Sequence, residues 1–102
     1  MYKTIPIQYL DQWLEQRYNG RIIDLRSPSS YCQGHISGAE NYPFDELMDD
    51  PDLLDGSCPL LFYCTRGSES MLVCNLYYRK GYQVVNVANG LRFYRGKYLT
   101  DD

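Results

Sequence analysis

Residues 59–81, PLLFYCTRGSESMLVCNLYYRKG, decide how the chain folds. They open on a continuous apolar run at residues 59–63, a pattern typical of a strand buried on both faces of a parallel sheet. An apolar, helix-length segment at residues 68–79 follows, and Lys80 and Gly81 supply a cation and a glycine where a helix would end. The stretch therefore predicts a buried strand, a tight loop that begins at Cys64, and a helix.

The flanking sequence indicates further strands around this unit. RIIDLR at residues 21–26 is a short β-branched run that predicts a strand, and QVVNVA at residues 83–88 predicts the last one. A brief strand is expected near residues 39–42. Short strands that alternate with helix-length segments are typical of an α/β fold with a mainly parallel sheet and helices on both faces. At 102 residues the chain is expected to form one domain, with a core over about residues 4–96.

Helices are expected before and between these strands. Apolar residues at helical spacing predict a first helix over about residues 6–16, with Pro6 in its first turn. One face of a second helix would hold three apolar side chains, Phe44, Leu47 and Met48. After the last strand, three aromatic residues would cover the sheet: Phe93, Tyr94 and Tyr98.

The composition argues against several classes of protein. A net charge of -3 and an isoelectric point near 5.0 disfavour a nucleic-acid binder, which would carry a clustered basic surface. No apolar run approaches the roughly 18 residues of a membrane helix, and nothing resembles a signal peptide, so a cytoplasmic protein without a membrane partner is expected. One histidine, four cysteines without a CxxC pair and no nucleotide fingerprint predict neither a metal nor a cofactor.

Cys64 is the candidate nucleophile, because the residues after it could stabilise a charged sulfur. If a strand ends at Cys64 and a helix begins at Ser70, the chain must turn sharply, and Gly67 supplies the backbone freedom. Loop amides and the helix dipole would then stabilise a thiolate, the oxyanion of a substrate or a persulfide. Free cysteine is also among the most buried residue types, so a purely structural Cys64 stays an alternative.

The other three cysteines lack this setting. Cys74 lies inside the expected helix among apolar neighbours and is expected in the core, and structural roles are also expected for Cys32 and Cys58. Without an export signal, free thiols rather than disulfides are expected. A cysteine phosphatase would need an arginine six positions after its nucleophile, and this chain has Ser70 there. Phosphatase chemistry is therefore disfavoured.

Three motifs resemble the rhodanese-like domains, and in particular their single-domain members. IIDLRSPSSYCQGHISGAENYP at residues 22–43 is similar to the family's first signature, an Asp-x-Arg strand end followed by Gly-His-Ile-x-Gly-Ala and Asn-x-Pro. LLFYCTRGSES at residues 60–70 resembles the active-site loop, and GYQVVNVANG at residues 81–90 resembles the strand and glycine turn after the helix. The resemblance covers about residues 4–94, nearly the whole chain.

The resemblance implies a rhodanese-like three-layer α/β/α fold around a mainly parallel five-stranded sheet. It also implies a sulfurtransferase in which Cys64 takes sulfane sulfur from a small donor, forms a persulfide and passes the sulfur to a thiol or another nucleophilic acceptor. Thiosulfate, a low-molecular-weight persulfide such as glutathione persulfide, and a protein persulfide are the expected donor classes.

By position, the resemblance gives Cys64 the role of catalytic nucleophile. The rest of the loop would bind substrate: Thr65, Arg66, Gly67, Ser68, Glu69 and Ser70. Asp24 and Arg26 would support or border the site from the end of their strand. His35, the one histidine, occupies a position that implies bracing of a loop rather than proton transfer.

Two loop residues depart from the family's pattern. Glu69 stands where thiosulfate-using members commonly carry arginine, and it would repel a dianionic donor if it faced the site. Arg66 could compensate for this repulsion from within the loop, or it could be a solvated charge. Glu69 could instead interact only with the helix dipole. These departures keep a second interpretation open: a catalytically weak rhodanese-fold module that binds a partner or senses redox state through Cys64.

Overall fold

The computed structural model describes residues 1–16 and 18–102, and its main feature is a five-stranded sheet. The five strands are β1 (Lys3–Pro6), β2 (Arg21–Asp24), β4 (Glu40–Asn41), β5 (Leu60–Tyr63) and β6 (Val84–Ala88). They lie in the order β1-β6-β5-β2-β4, and all neighbouring pairs are parallel. A separate antiparallel ribbon pairs β3 (His35–Ile36) with β7 (Leu99–Thr100). The predicted mainly parallel α/β fold is confirmed.

Helices cover both faces of this sheet. They are α1 (Leu10–Glu15), α2 (Pro28–Gln33), α3 (Phe44–Asp49) and α4 (Ser68–Arg79), and α4 has the predicted bounds. Short 3-10 turns lie at Ile7–Tyr9, Pro51–Leu53 and Leu91–Phe93. Within the described ranges, no helix combines the length and the apolar character needed to cross a bilayer.

Side chains of β5 alternate between two core layers, which explains why this run carries no charge. Leu60 and Phe62 pack in the layer that α3 and α4 cover, and Leu61 and Tyr63 pack in the layer that contains Leu10 of α1. All four β5 residues are 0% exposed. Each such burial contributes on the order of 1.5–3 kcal/mol. Cys64 therefore follows the most deeply buried strand of a three-layer domain.

The helix expected over about residues 6–16 is only partly correct. Residues 3–6 form β1, which pairs with β6 at the edge of the sheet, and α1 begins at Leu10 after a 3-10 turn. Ile5 precedes a proline, which disfavours helical backbone at Ile5, and its β-branched side chain suits a strand. Pro6 thus ends a strand instead of opening a helix.

Two smaller expectations are wrong and a third is only partly correct. The strand at residues 83–88 is not the last, because β7 follows it. Met48 is 41% exposed. The short α3 buries Leu47, and Met48, the next residue, points to a different side of the helix. Phe93 is 54% exposed in its 3-10 turn, whereas Tyr94 is buried and Tyr98 packs against the same core layer. The aromatic tail therefore covers the sheet only in part.

Candidate active site

Cys64 is the first residue after β5, and its sulfur is enclosed by the loop that leads into α4. Its Sγ accepts hydrogen bonds from the backbone N–H of Gly67 at 3.1 Å and of Ser70 at 3.3 Å. Cys64 is only 1% exposed, and α4 begins at Ser68 and runs for 12 residues. Amide donors and a helix N-terminus both stabilise negative charge placed on this sulfur.

Gly67 and Ser70 give the loop its shape, as the sequence predicts for Gly67. Gly67 has φ 103°, in the left-handed region that favours glycine, and a Cβ there would lie 2.8 Å from the backbone nitrogen of Asn89. The Ser70 hydroxyl can donate to the carbonyl of Gly67 at 3.1 Å or of Val87 at 3.3 Å. Ser70 therefore joins the loop to β6 as well as directing an amide at the sulfur.

A second segment, residues 89–92, holds the loop from outside. The N–H of Leu91 donates to the Cys64 carbonyl at 2.8 Å, and the N–H of Arg92 donates to the Thr65 carbonyl at 3.0 Å. Gly90 has φ 76°, and a Cβ there would lie 2.3 Å from the Thr65 carbonyl oxygen. The sequence indicates only a turn at this glycine and does not predict its contact with the cysteine loop.

These outer contacts also orient the loop amides. In a trans peptide the N–H points away from the carbonyl of the same peptide unit, and no peptide bond in the described residues is cis. The N–H groups of Thr65 and Arg66 therefore point away from residues 91–92. Among the described residues, neither amide has a protein acceptor, and the same holds for Ser68 and Glu69 at the start of α4. Four amide donors are thus available around the loop.

Asp24 and Arg26, the predicted supporting residues, form a buried ion pair beside the loop. Asp24 is 0% exposed, and its carboxylate accepts hydrogen bonds from the Arg26 guanidinium, with the shortest at 2.7 Å, and from the Arg26 backbone N–H at 2.8 Å. The guanidinium also donates to the Gly34 carbonyl. The pair therefore joins the carboxyl end of β2 to the end of α2.

Tyr63 extends this network to the residue before Cys64. Its hydroxyl donates to Asp24 at 2.6 Å and accepts the N–H of Ile36 at 3.0 Å. Burial, together with the Asp24 carboxylate, raises the pKa of Tyr63, so the hydroxyl stays protonated and keeps its donor role. The sequence gives no signal for this role, because Tyr63 belongs to an apolar strand whose pattern indicates only packing.

A cavity of about 490 Å³, here called the loop cavity, adjoins the cysteine loop. Thr65 and Glu69 of the loop line it together with Arg26. Arg66 is exposed and is not among the lining residues that the structure describes. The structure therefore brings Glu69, but not Arg66, to the cavity; a role of Arg66 toward substrate stays a prediction.

His35 braces a loop, as the resemblance implies. It is 3% exposed, its Nδ1 lies 2.7 Å from the Tyr31 carbonyl, and its ring stacks on Tyr31 with the ring centroids 3.7 Å apart. A carbonyl only accepts, so Nδ1 is the donor. The stacked pair fixes the end of α2 against β3.

The other cysteines occupy three different environments. Cys74 is 0% exposed in the core layer of α4, as predicted, and burial raises the pKa of its thiol. Cys58 is half-buried, and Cys32 is exposed on α2, so Cys32 does not pack in the core. All four thiols are free.

Comparison with known proteins identifies the family of the chain and solved structures with the same fold. The family model "Rhodanese-like domain" matches residues 7–97. Thiosulfate sulfurtransferase GlpE of Pseudomonas paraeruginosa is 29% identical over 93 residues, which span 89% of this chain and 84% of the relative. A rhodanese-like domain protein from Staphylococcus aureus has a TM-score of 0.82 at 23% identity, covering 98% of both chains. The rhodanese-like domain of an Anabaena protein has a TM-score of 0.81 at 25% identity, covering 100% of this chain and 81% of the other.

Proposed function

The chain belongs to the rhodanese-like domain family, and from this premise we propose that it is a sulfurtransferase that carries sulfane sulfur as a persulfide on Cys64. The name of the Pseudomonas paraeruginosa relative supports the reaction class, since that protein is called a thiosulfate sulfurtransferase. One observation in this chain carries the proposal: two backbone amides at the start of α4 donate to the Cys64 sulfur.

The first half of the reaction loads the cysteine. The Cys64 thiolate attacks the outer sulfur of the donor, a new S–S bond forms, and the donor's own S–S bond breaks. The leaving group, sulfite from thiosulfate or a thiolate from a persulfide, departs with the electron pair. The product is Cys64–S–S⁻, and the unpartnered amides of the loop, such as those of Thr65 and Arg66, would bind its negative terminal sulfur.

The second half of the reaction returns the enzyme to its starting state. An acceptor thiolate attacks the terminal sulfur, and Cys64 leaves as a thiolate that the Gly67 and Ser70 amides stabilise. Two S–S bonds form and two break over the full cycle, so the steps as written need no external oxidant, reductant or cofactor. Free cysteines and this chemistry suit the reducing cytoplasm, where we place the reaction.

The experiment that tests the proposal measures thiocyanate formation from cyanide. Reduced protein is given thiosulfate or glutathione persulfide as donor, and cyanide removes the terminal sulfur from the loaded cysteine. We expect turnover with glutathione persulfide and slower turnover with thiosulfate, because Glu69 lines the cavity next to the loop and repels a dianion.

Folded protein that forms no thiocyanate with either donor would contradict the proposal. Such a result would favour the alternative role, a module that binds a partner or responds to oxidation of Cys64. The enclosure of Cys64, which is 1% exposed, favours the partner-binding form of that alternative, because an enclosed thiol is poorly accessible to sulfur donors and to oxidants alike.

A further inference from the structure

We propose that the loop cavity selects sulfur acceptors by charge and favours thiols that carry a cationic group near the sulfur. This inference rests on the proposed sulfurtransferase reaction and adds the substrate class of its second step. The acceptor class that this inference names is a small aminothiol, in which a nucleophilic thiol lies within a few ångströms of a positive charge.

The lining of the loop cavity carries an excess of negative charge. Glu69 contributes one carboxylate from the cysteine loop, and Asp45 and Glu46 contribute two from the first turn of α3. Within residues 1–16 and 18–102, none of these three carboxylates takes part in an ion pair. Among the described residues, therefore, no cation lies within ion-pair distance of these carboxylates.

Arg26, the one arginine among the lining residues that the structure describes, does not offset these carboxylates. Arg26 points its guanidinium at the buried Asp24, with the salt bridge at 2.7 Å, so the pair is neutral as a unit. The Arg26 side chain is only 12% exposed and also donates to the Gly34 carbonyl. Arg26 thus supplies little free positive charge to a molecule that enters the cavity.

The cavity lies beside the loop that encloses the sulfur, although Cys64 itself is not among the lining residues that the structure describes. Thr65, the residue after Cys64, and Glu69, the residue before the Ser70 amide donor, form its wall on the loop side. A volume of about 490 Å³ accommodates a small thiol. An acceptor that approaches along this wall brings its own charge next to Glu69.

A single-turnover experiment isolates the acceptor step. The protein is loaded with sulfur from one donor, excess donor is removed, and loss of protein-bound sulfur is followed with three small thiols of similar size. Cysteamine is cationic, 2-mercaptoethanol is neutral and 3-mercaptopropionate is anionic. Rates are divided by those of the same thiols with a free low-molecular-weight persulfide, which removes differences in thiol acidity and nucleophilicity.

We expect cysteamine to react roughly three- to tenfold faster than 3-mercaptopropionate after this correction. A rate ratio of this size corresponds to one or two partly solvated charge interactions. The preference should shrink at about 1 M salt, where charges are screened over about 3 Å.

Two double variants with the same change in net charge identify the residues responsible. Asp45→Asn with Glu46→Gln removes two charges from the loop cavity, and Asp101→Asn with Asp102→Asn removes two from the exposed C-terminal end. We expect the first variant to lose most of the preference and the second to keep it.

The outcomes separate this inference from the reaction on which it rests. A protein that loads sulfur but reacts equally with all three thiols would overturn the charge selection and leave the sulfurtransferase intact. If both double variants lost the preference for cysteamine equally, the preference would come from net charge. That result would also overturn charge selection by the loop cavity. Failure to load sulfur from any donor would overturn both proposals.

Discussion

Cys64→Ser is expected to abolish sulfur transfer, with kcat/KM for thiocyanate formation lowered by roughly a thousandfold or more. The hydroxyl of serine is a poor nucleophile toward sulfane sulfur, and it cannot form the S–S bond on which the proposed cycle depends. The substitution is close in size, so the two loop amides keep an acceptor at the same place. Activity is measured with glutathione persulfide and cyanide.

Cys74→Ala is the matched control for this experiment. Cys74 is a buried thiol in the same core layer as Cys64, but it lies inside α4 and has no amide donors at its sulfur in the described structure. The smaller side chain should cost about 1–2 kcal/mol of stability and leave sulfur transfer within about twofold of the parent. Full activity in Cys64→Ser, or its loss in a folded Cys74→Ala protein, would contradict the assignment of the nucleophile.

Asp24→Asn is expected to lower the free energy of unfolding by about 3 kcal/mol, a large share of the 5–15 kcal/mol typical of a domain. The substitution keeps the size of the side chain but removes the charge that the Arg26 guanidinium faces, with Arg26 only 12% exposed. It also removes the carboxylate that accepts from the Tyr63 hydroxyl at 2.6 Å. Urea denaturation followed by circular dichroism measures the change.

Glu40→Gln provides the comparison, because it breaks an arginine–carboxylate pair of similar geometry at the surface. The Arg21 and Glu40 side chains, 27% and 42% exposed, meet through two hydrogen bonds at 2.8 and 2.9 Å. Water can solvate Arg21 in place of the Glu40 carboxylate, so we expect the free energy of unfolding to fall by less than about 1 kcal/mol. Equal losses in the two variants would show that burial of the Asp24 pair has no energetic consequence.

The central part of the fold could be predicted because sequence pattern and local structure agree there. The run at residues 59–63 is apolar at every position, and β5 is buried on both faces. The helix α4 has the predicted bounds, since Gly67 provides a left-handed residue at its start and Lys80 and Gly81 end it. Because strong local signals fix the end of β5 and the start of α4, the loop between these two elements has little conformational freedom.

The outer parts of the fold depend on contacts that a local pattern does not encode. Ile7, Leu10 and Leu14 recur at helical spacing and predict a helix from about residue 6, yet residues 3–6 join the sheet because the edge of β6 is free to pair with them. The ribbon of β3 and β7 brings together His35 and Thr100, which are far apart in the sequence. Such pairings are decided by the assembled sheet.

The loop around Cys64 was predictable from the sequence, but the residues that surround it were not. Cys64, Gly67 and Ser70 could be identified because a cysteine after a strand, a glycine and a helix start lie within a few residues. The support from Leu91 and Arg92 to the loop carbonyls comes from a separate segment that carries only a turn signal. The approach of Asp45 and Glu46 to the loop cavity likewise depends on how α3 packs beside it.

Intact-mass spectrometry of the protein after incubation with glutathione persulfide shows whether Cys64 carries sulfur. We expect a gain of about 32 Da, one sulfur atom in a thiol-labile persulfide, that peptide mapping places on Cys64 and that is absent from Cys64→Ser. Folded protein with a free Cys64 that gains no sulfur, or that gains it equally in Cys64→Ser, would contradict the proposed persulfide on Cys64.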